Sequence, residues 1–248
     1  MITIHKLAYT YPDGTPALKD ITLTIPDGEF LLICGPNGSG KTTFIRHLNG
    51  LLRPSSGTIR VDGMDPVRSE RQVMQRVGMV FQDADSQIVG ETVEEDVAFG
   101  PENLGLSSNE VRARVGAALK MVNLEGFGQK PCHLLSGGEK RRLAIAGVLA
   151  MQPRILVFDE PFANLDYGGV RQVLEQILKL HGEDRTIIVA THDVEKVITH
   201  ADRLAIIQRG ELKAVAPPPL LIHELGRYDI RPPCYSLLGE RPLSWLTD

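Results

Sequence analysis

The sequence predicts an α/β fold with a parallel sheet at its centre, and three observations carry that expectation. A Gly-rich loop, Gly35-Pro36-Asn37-Gly38-Ser39-Gly40-Lys41-Thr42, lies between the apolar run Phe30-Leu31-Leu32-Ile33-Cys34 and a helical start at Thr42-Thr43-Phe44-Ile45. Two later runs, Ile155-Leu156-Val157-Phe158 and Thr186-Ile187-Ile188-Val189-Ala190, are almost continuously apolar, as in strands covered on both faces. Helical spacing separates them, at Val173, Leu174, Ile177 and Leu178. Strands that alternate with helices imply parallel pairing through crossover connections.

The elements follow in order. Ile2, Ile4 and Leu7 alternate with polar residues, and Tyr11-Pro12-Asp13-Gly14 reads as a turn. Leu18, Ile21, Leu23 and Ile25 form a second alternating strand, ended by Pro26-Asp27-Gly28. Thr58-Ile59-Arg60-Val61-Asp62-Gly63 adds a strand and turn after the first helix, giving an N-terminal antiparallel β-subdomain. Val77 to Phe81 is a strand that runs to Gln82. Residues 83–150 read as an inserted helical subdomain. Thr92-Val93-Glu94-Glu95 has the capping-box form, and Ser107-Ser108-Asn109-Glu110 repeats it before Val111, Val115, Ala118, Leu119 and Val122. Leu204-Ala205-Ile206-Ile207 is a further strand, turning at Arg209-Gly210. From residue 214 to 248 the pattern breaks: Pro217-Pro218-Pro219 and Pro232-Pro233 exclude long regular elements. That tail is too apolar for free disorder, with Leu220, Leu221, Ile222, Leu225, Leu237, Leu238, Trp245 and Leu246. It reads as a small C-terminal appendage that packs on its own domain or helps to hold a dimer.

The 248 residues, 42% hydrophobic and 23% charged, suffice for a sizeable core. A net charge of −4 gives no electrostatic footprint for DNA or RNA, so no nucleic-acid partner is expected. No apolar run approaches the length of a membrane span, and Met1 to Lys6 lacks a signal-peptide layout. The chain is therefore expected in the cytosol or docked on the cytosolic side of a membrane. Cys34, Cys132 and Cys234 are odd in number and widely spaced, which suits neither a metal site nor a disulfide framework.

The Gly-rich loop fits the phosphate-loop pattern Gly-x-x-x-x-Gly-Lys-[Ser/Thr] in full, in the strand–loop–helix context that the motif needs. Its glycines let successive N–H groups point inward at phosphate oxygens, beside a helix N-terminus. Lys41 would reach the β- and γ-phosphates and Thr42 would hold Mg²⁺. A chance Gly-rich turn is the competing reading, and the Lys-Thr pair argues against it. A second signal is Asp159-Glu160 ending a buried strand. The first acid can hold Mg²⁺, and the second can take a proton from an attacking water. A third is Leu135-Ser136-Gly137-Gly138-Glu139, where Ser136 is a good N-cap and two glycines let a phosphate approach a helix start.

The order of these strings, over about residues 1 to 210, resembles the nucleotide-binding subunit of an ATP-binding-cassette (ABC) transporter. The resemblance implies a phosphate-loop ATPase domain over residues 1–213 that binds ATP through Gly35, Pro36, Asn37, Gly38, Ser39, Gly40, Lys41, Thr42 and Thr43. It gives Tyr11 an adenine-stacking role; by itself, Tyr11 reads as a turn residue packed on the β-subdomain. It assigns Glu160, His192 and Gln82 to catalysis, and Thr42, Gln82 and Asp159 to Mg²⁺. It makes Asp166, in Asn164-Leu165-Asp166, part of a segment crossing between two subunits. Ser136, Gly137, Gly138 and Glu139 would cap the γ-phosphate bound to a partner chain. A working site then needs a second cassette, identical or related. Gln82-Asp83-Ala84-Asp85-Ser86-Gln87 and residues 96–106 are similar to the energy-coupling-factor branch and to cobalt and nickel importers. In that branch Gln87 faces an integral membrane subunit, a separate membrane protein binds the cargo, and the ATPase sits peripherally on the cytoplasmic face. Another ABC class, a non-transport ABC ATPase of DNA repair or translation, and a pure nucleotide switch are the competing readings.

Overall fold

Two sheets share the phosphate loop between them. The computed structural model describes residues 1–240 and 242–246. The chain opens with β1 (Ile2–Thr10), β2 (Pro16–Ile25), β3 (Phe30–Cys34), α1 (Lys41–Leu48) and β4 (Ser56–Val61). Strands β1, β2 and β4 make a small antiparallel sheet in the order β2-β1-β4. Ile4 pairs with Leu23 but Leu7 with Ile21, so β1 carries one extra residue there. That bulge keeps both Ile4 and Leu7 buried although they are three apart. On β2, Leu18, Ile21, Leu23 and Ile25 are buried as their spacing predicts.

The chain continues through α2 (Glu70–Arg76), β5 (Val77–Val80), α3 (Val93–Asn103), α4 (Ser108–Met121) and α5 (Gly137–Ala150). It then forms β6 (Ile155–Asp159), α6 (Tyr167–His181), β7 (Thr186–Thr191), β8 (Arg203–Gln208) and β9 (Glu211–Ala216). The second sheet has the order β5-β6-β7-β3-β8-β9 and is parallel except for β9, which pairs antiparallel with β8. Its strands divide two cores. Phe30, Leu32, Leu156 and Phe158 face the helices α3 to α6. Leu31, Ile33, Ile155 and Val157 face α1 and the small sheet. A side-chain period of two, buried on both faces, is why these strands read as continuous apolar runs. The α/β class, the parallel core sheet and the antiparallel N-terminal sheet are as expected.

The differences have physical reasons. Helix α2 was not anticipated because Val73 is its one buried residue, leaving no apolar stripe. Strand β9 is an edge with no fully buried residue, and it runs across the expected boundary between residues 213 and 214. Residues 83–92, grouped with the helical stretch, form bends and loop, and helix starts at Val93. Strand β4 starts at Ser56, two residues before the string suggests, and ends at Val61 ahead of the expected Asp62-Gly63 turn. In the tail, α7 (Pro218–Leu221) and α8 (Cys234–Leu238) are short, in keeping with the prolines. Leu221, Ile222, Leu225 and Ile230 join the helical-side core, and Tyr228, Tyr235, Trp245 and Leu246 pack against it. The tail thus packs on its own domain, while Leu220, Leu237, Leu238 and Leu243 remain exposed.

Candidate nucleotide site

The residues singled out in sequence converge on the C-terminal edge of the parallel sheet. Cys34 of β3 pairs with Thr191 of β7, and Asp159 of β6 pairs with Ala190 of β7. Three adjacent strands therefore deliver the Gly-rich loop, the two acids and His192 to one place, the usual position of ligands in such sheets.

The loop is shaped by close backbone approaches. A methyl group on Gly35 would lie 2.0 Å from the carbonyl oxygen of Ile207. Gly40 caps α1 at φ 105, and a Cβ there would lie 2.8 Å from the oxygen of Ala17. Lys41 Nζ donates to the carbonyls of Gly35 at 2.8 Å and Pro36 at 3.3 Å, and lies 3.8 Å from Glu160 Oε1. Burial lowers its pKa, and the charges of Glu160 and Asp159 oppose that shift. Thr42 Oγ1 donates to Asp159 Oδ1 at 3.1 Å. Burial pushes the Asp159 carboxyl above the usual range, against the Thr42 hydrogen bond. The same burial pushes the neighbouring Cys34 thiol up to about 12, so it stays neutral.

Glu160 has φ 46, a left-handed conformation that non-glycine residues adopt at a cost. Its peptide N–H donates to Ala190 O at 2.8 Å. Its side chain is held on both oxygens. Thr191 Oγ1 donates to Oε2 at 2.7 Å; the backbone N–H of His192 donates to Oε1 at 3.0 Å, and His192 Nδ1 lies 2.8 Å from the same oxygen. The carboxylate accepts, so Nδ1 carries the proton. Tyr11 sets its hydroxyl 2.8 Å from Thr43 Oγ1 and its ring edge-on to Tyr9, with centroids 5.0 Å apart. Tyr11, Lys41, Thr42, Gln82, Glu160 and His192 all line one open cavity of roughly 610 Å³.

Other predicted residues lie elsewhere. Ser136 caps α5: its hydroxyl accepts from Glu139 N at 3.3 Å, and the Glu139 carboxylate accepts from Ser136 N at 2.6 Å. That second bond holds the Glu139 carboxyl below its usual range. Ser136 and Gly137 are exposed, and neither Ser136, Gly137 nor Gly138 lines the cavity. Asp166 caps α6, accepting from Gly169 N at 2.8 Å. Gln87 turns back on its own loop, accepting from Phe81 N at 3.0 Å and donating to Met79 O at 3.1 Å.

Two residues escaped sequence reasoning. Thr191 stands in the Thr191-His192-Asp193 string, but a strand-end Thr announces nothing until its hydroxyl is seen on Glu160. Arg141 lies in the charged run Lys140-Arg141-Arg142, which reads as a solvated face, yet its side chain is buried. As for a metal, no group of three His, Cys, Asp or Glu side chains could hold one among the described residues. Thr42 and Asp159 supply two hard oxygens side by side, which suits magnesium completed by phosphate oxygens and water.

A phosphate loop, a strand-end acid and a glutamate–histidine pair on one sheet edge define a nucleoside-triphosphate hydrolase. The ABC transporter family matches residues 18–163, and the chain belongs to that family. It is similar to the energy-coupling factor transporter ATP-binding protein EcfA of Syntrophomonas wolfei, at 46% identity over 222 residues, 88% of this chain and 81% of the relative. It is 43% identical to the cobalt import ATP-binding protein CbiO of Rhodobacter capsulatus over 239 residues, 94% of this chain and 85% of the relative. Among solved structures, cbiO1 from Clostridium perfringens, part of the ABC transporter complex cbiONQ, matches with a TM-score of 0.83 at 38% identity, covering 96% of this chain and 98% of that one. The dimeric bacterial ABC transporter cassette MJ0796 matches at 0.78 and 31% identity, covering 88% of this chain and 98% of that one.

Proposed function

We propose that this chain is the ATP-hydrolysing subunit of an energy-coupling-factor type importer, powering uptake of a metal ion or vitamin through a membrane partner. It works as one of two cassettes, identical or related, on the cytoplasmic face. The observation that carries this reading is the division of the site. The cavity is lined by Lys41, Thr42, Glu160 and His192, with Asp159 behind Thr42, whereas the capped start of α5 at Ser136 stands apart and exposed. A helix start with free N–H groups and two glycines is an anion site waiting for a phosphate from outside its own cavity. A second cassette facing the first supplies one. The dimeric assembly of MJ0796 supports the pairing.

On closure, Lys41 moves from the loop carbonyls to the phosphate tail and holds its charge. Glu160 accepts a proton from the attacking water, and His192, oriented by its Nδ1–H bond to Glu160, presents Nε2 to the γ-phosphate. Gln82 lines the cavity, where it positions that water. Tyr11 offers its ring to adenine at the mouth. Magnesium held by Thr42 and Asp159 would neutralise phosphate charge as it builds in the transition state. Ser136 and Gly138 complete the partner's site, so hydrolysis and phosphate release remove the bridge between the two chains. Asp166, the cap of α6, belongs in this reading to the segment that crosses to the partner.

Attachment to the membrane is indirect: no helix of the described residues is long and apolar enough to cross one. A groove of roughly 940 Å³, lined by Met74, Gln87, Val89, Phe99, Leu104 and Met151 among others, offers a seat for a short helix of the membrane subunit. Gln87 lines that groove and bonds the backbone of Met79 and Phe81, just before Gln82. The cargo is bound by a separate membrane protein. The test is Glu160→Gln with ATP and magnesium. The expected outcome is nucleotide binding with hydrolysis nearly abolished and a dimer on size-exclusion chromatography. A protein that stays monomeric at high protein and ATP concentrations would refute the paired site.

A further inference from the structure

The Gln82 loop is held by two side chains. Gln87 takes the N–H of Phe81 and the carbonyl of Met79 from the groove side. Arg141 of α5 donates through one Nη to Phe81 O and through the other to Gln82 O, both at 2.6 Å. Arg141 is only 4% exposed. Burying a charge that deeply is costly, and an apolar side chain would pack at less expense. Two short, charge-assisted bonds to consecutive carbonyls offset that cost and fix direction as well as distance. Asp83 and Asp159 are the charges near it, and burial lowers its pKa from the arginine value. The next residue, Arg142, goes elsewhere, to Gln172 of α6. Ser136, the cap of α5, lies five positions before Arg141 on the same continuous helix.

We infer that Arg141 is a positioning residue that makes the Ser136–Gly138 helix start and the Gln82 loop move as one body. The inference rests on the roles proposed above for Gln82 and for the helix start. When a phosphate from the partner draws the start of α5 inward, the guanidinium carries the backbone of residues 81 and 82 with it. Gln82 in the chain's own cavity then reports occupancy of the partner's cavity. Gln87, bonded to the same four-residue stretch and lining the groove, passes that displacement on. One buried side chain thus links the two nucleotide sites of a pair through each cassette.

The test uses the full-length protein in steady-state ATPase assays, with thermal melts as the folding control. Arg141→Lys keeps the charge but replaces the planar two-pronged fork with a single nitrogen on a shorter stem, which cannot hold both carbonyls at the fork's fixed geometry. Arg141→Met keeps the bulk and removes both bonds. Arg141→Met is expected to lower kcat on the order of 10²-fold, as a misplaced catalytic group does, with Arg141→Lys intermediate. The affinity for ATP, measured by calorimetry in a Glu160→Gln background, should stay within about twofold, because Lys41 and its loop are untouched. In a cycle with Gln82→Ala, the double variant should be no slower than Gln82→Ala alone. Losses that simply add would make Arg141 a structural support and overturn the inference. An Arg141→Lys protein as fast as wild type, beside a slow Gln82→Ala, overturns it as well, and this variant carries the test if Arg141→Met does not fold. A Gln82→Ala protein as fast as wild type overturns the role given to Gln82, and the link with it.

Discussion

Thr191→Val is the sharpest probe of how Glu160 is aimed. Valine matches threonine in shape, so the β7 terminus keeps its packing and loses only a hydroxyl. That hydroxyl donates to Glu160 Oε2 at 2.7 Å and accepts from Asp193 N at 3.1 Å. The first bond ends on a charged, buried acceptor, and losing it costs about 1.5–3 kcal/mol; the second, neutral bond is worth about 0.5–1.5 kcal/mol. Destabilisation of about 2–4.5 kcal/mol follows, or a melting temperature lower by roughly 4–18 °C for a chain of this size. The kinetic effect is separable. With Oε2 released, the carboxylate pivots about Oε1, which still receives His192 N and lies beside its ring. If the aiming bond persists in the transition state, its charged share corresponds to a fall in kcat of about 10- to 100-fold at 1.4 kcal/mol per decade. Thr191→Ser restores the hydroxyl and is expected to recover most of the rate. The assay is phosphate release at saturating ATP, with KM measured alongside. A Thr191→Val enzyme within twofold of wild type, or a Thr191→Ser enzyme as slow as it, would refute the argument.

Two further outcomes are expected. Burial raises the pKa of Asp159 in the folded state, so its ionisation costs folding free energy; the cost is absent below the ordinary carboxylate range and complete above the raised value. Asp159→Asn keeps an oxygen for Thr42 and should melt above the wild type at pH 8 without ligand, the gap closing below about pH 4, while magnesium-dependent hydrolysis is lost. Equal melting temperatures across that range would contradict the buried-charge account. Gln87→Ala frees two backbone groups of the Gln82 loop, so basal ATPase should fall a few-fold and transport by the assembled complex should fall further. Equal losses would confine Gln87 to bracing the loop.

The sequence was most legible where chemistry and periodicity coincide. Phe30 to Cys34 and Ile155 to Asp159 could hardly be other than buried strands, and the motifs at their ends fixed the sheet edge where Lys41, Asp159 and Glu160 meet. Capping signals were equally plain: Thr92 with Glu95, and Ser136 with Glu139, close reciprocal boxes, whereas Ser107 caps α4 with Glu110 paired to Arg114 instead. What stayed hidden depends on contacts far apart in the chain. Nothing local marks β9 as a strand, because its order comes from pairing with β8. Nothing marks Arg141 as buried, because its partners are carbonyls about sixty positions earlier. The resemblance places Gln87 in a segment facing a membrane subunit; that its amide is satisfied by its own loop, only the fold reveals.

The close backbone approaches at Gly35 and Gly40 have a consequence for affinity. The phosphate loop is walled by Ile207 from the large sheet and Ala17 from the small one, and the β8–β9 turn is stitched to both, through Gly210 N to Ser39 O at 2.9 Å and Lys19 N to Gly210 O at 2.8 Å. Its shape is cast when the two sheets come together, before any nucleotide arrives. The entropy of ordering is thereby charged to folding rather than to ligand capture. What ATP gains from such a rigid mould is left over for drawing two cassettes together.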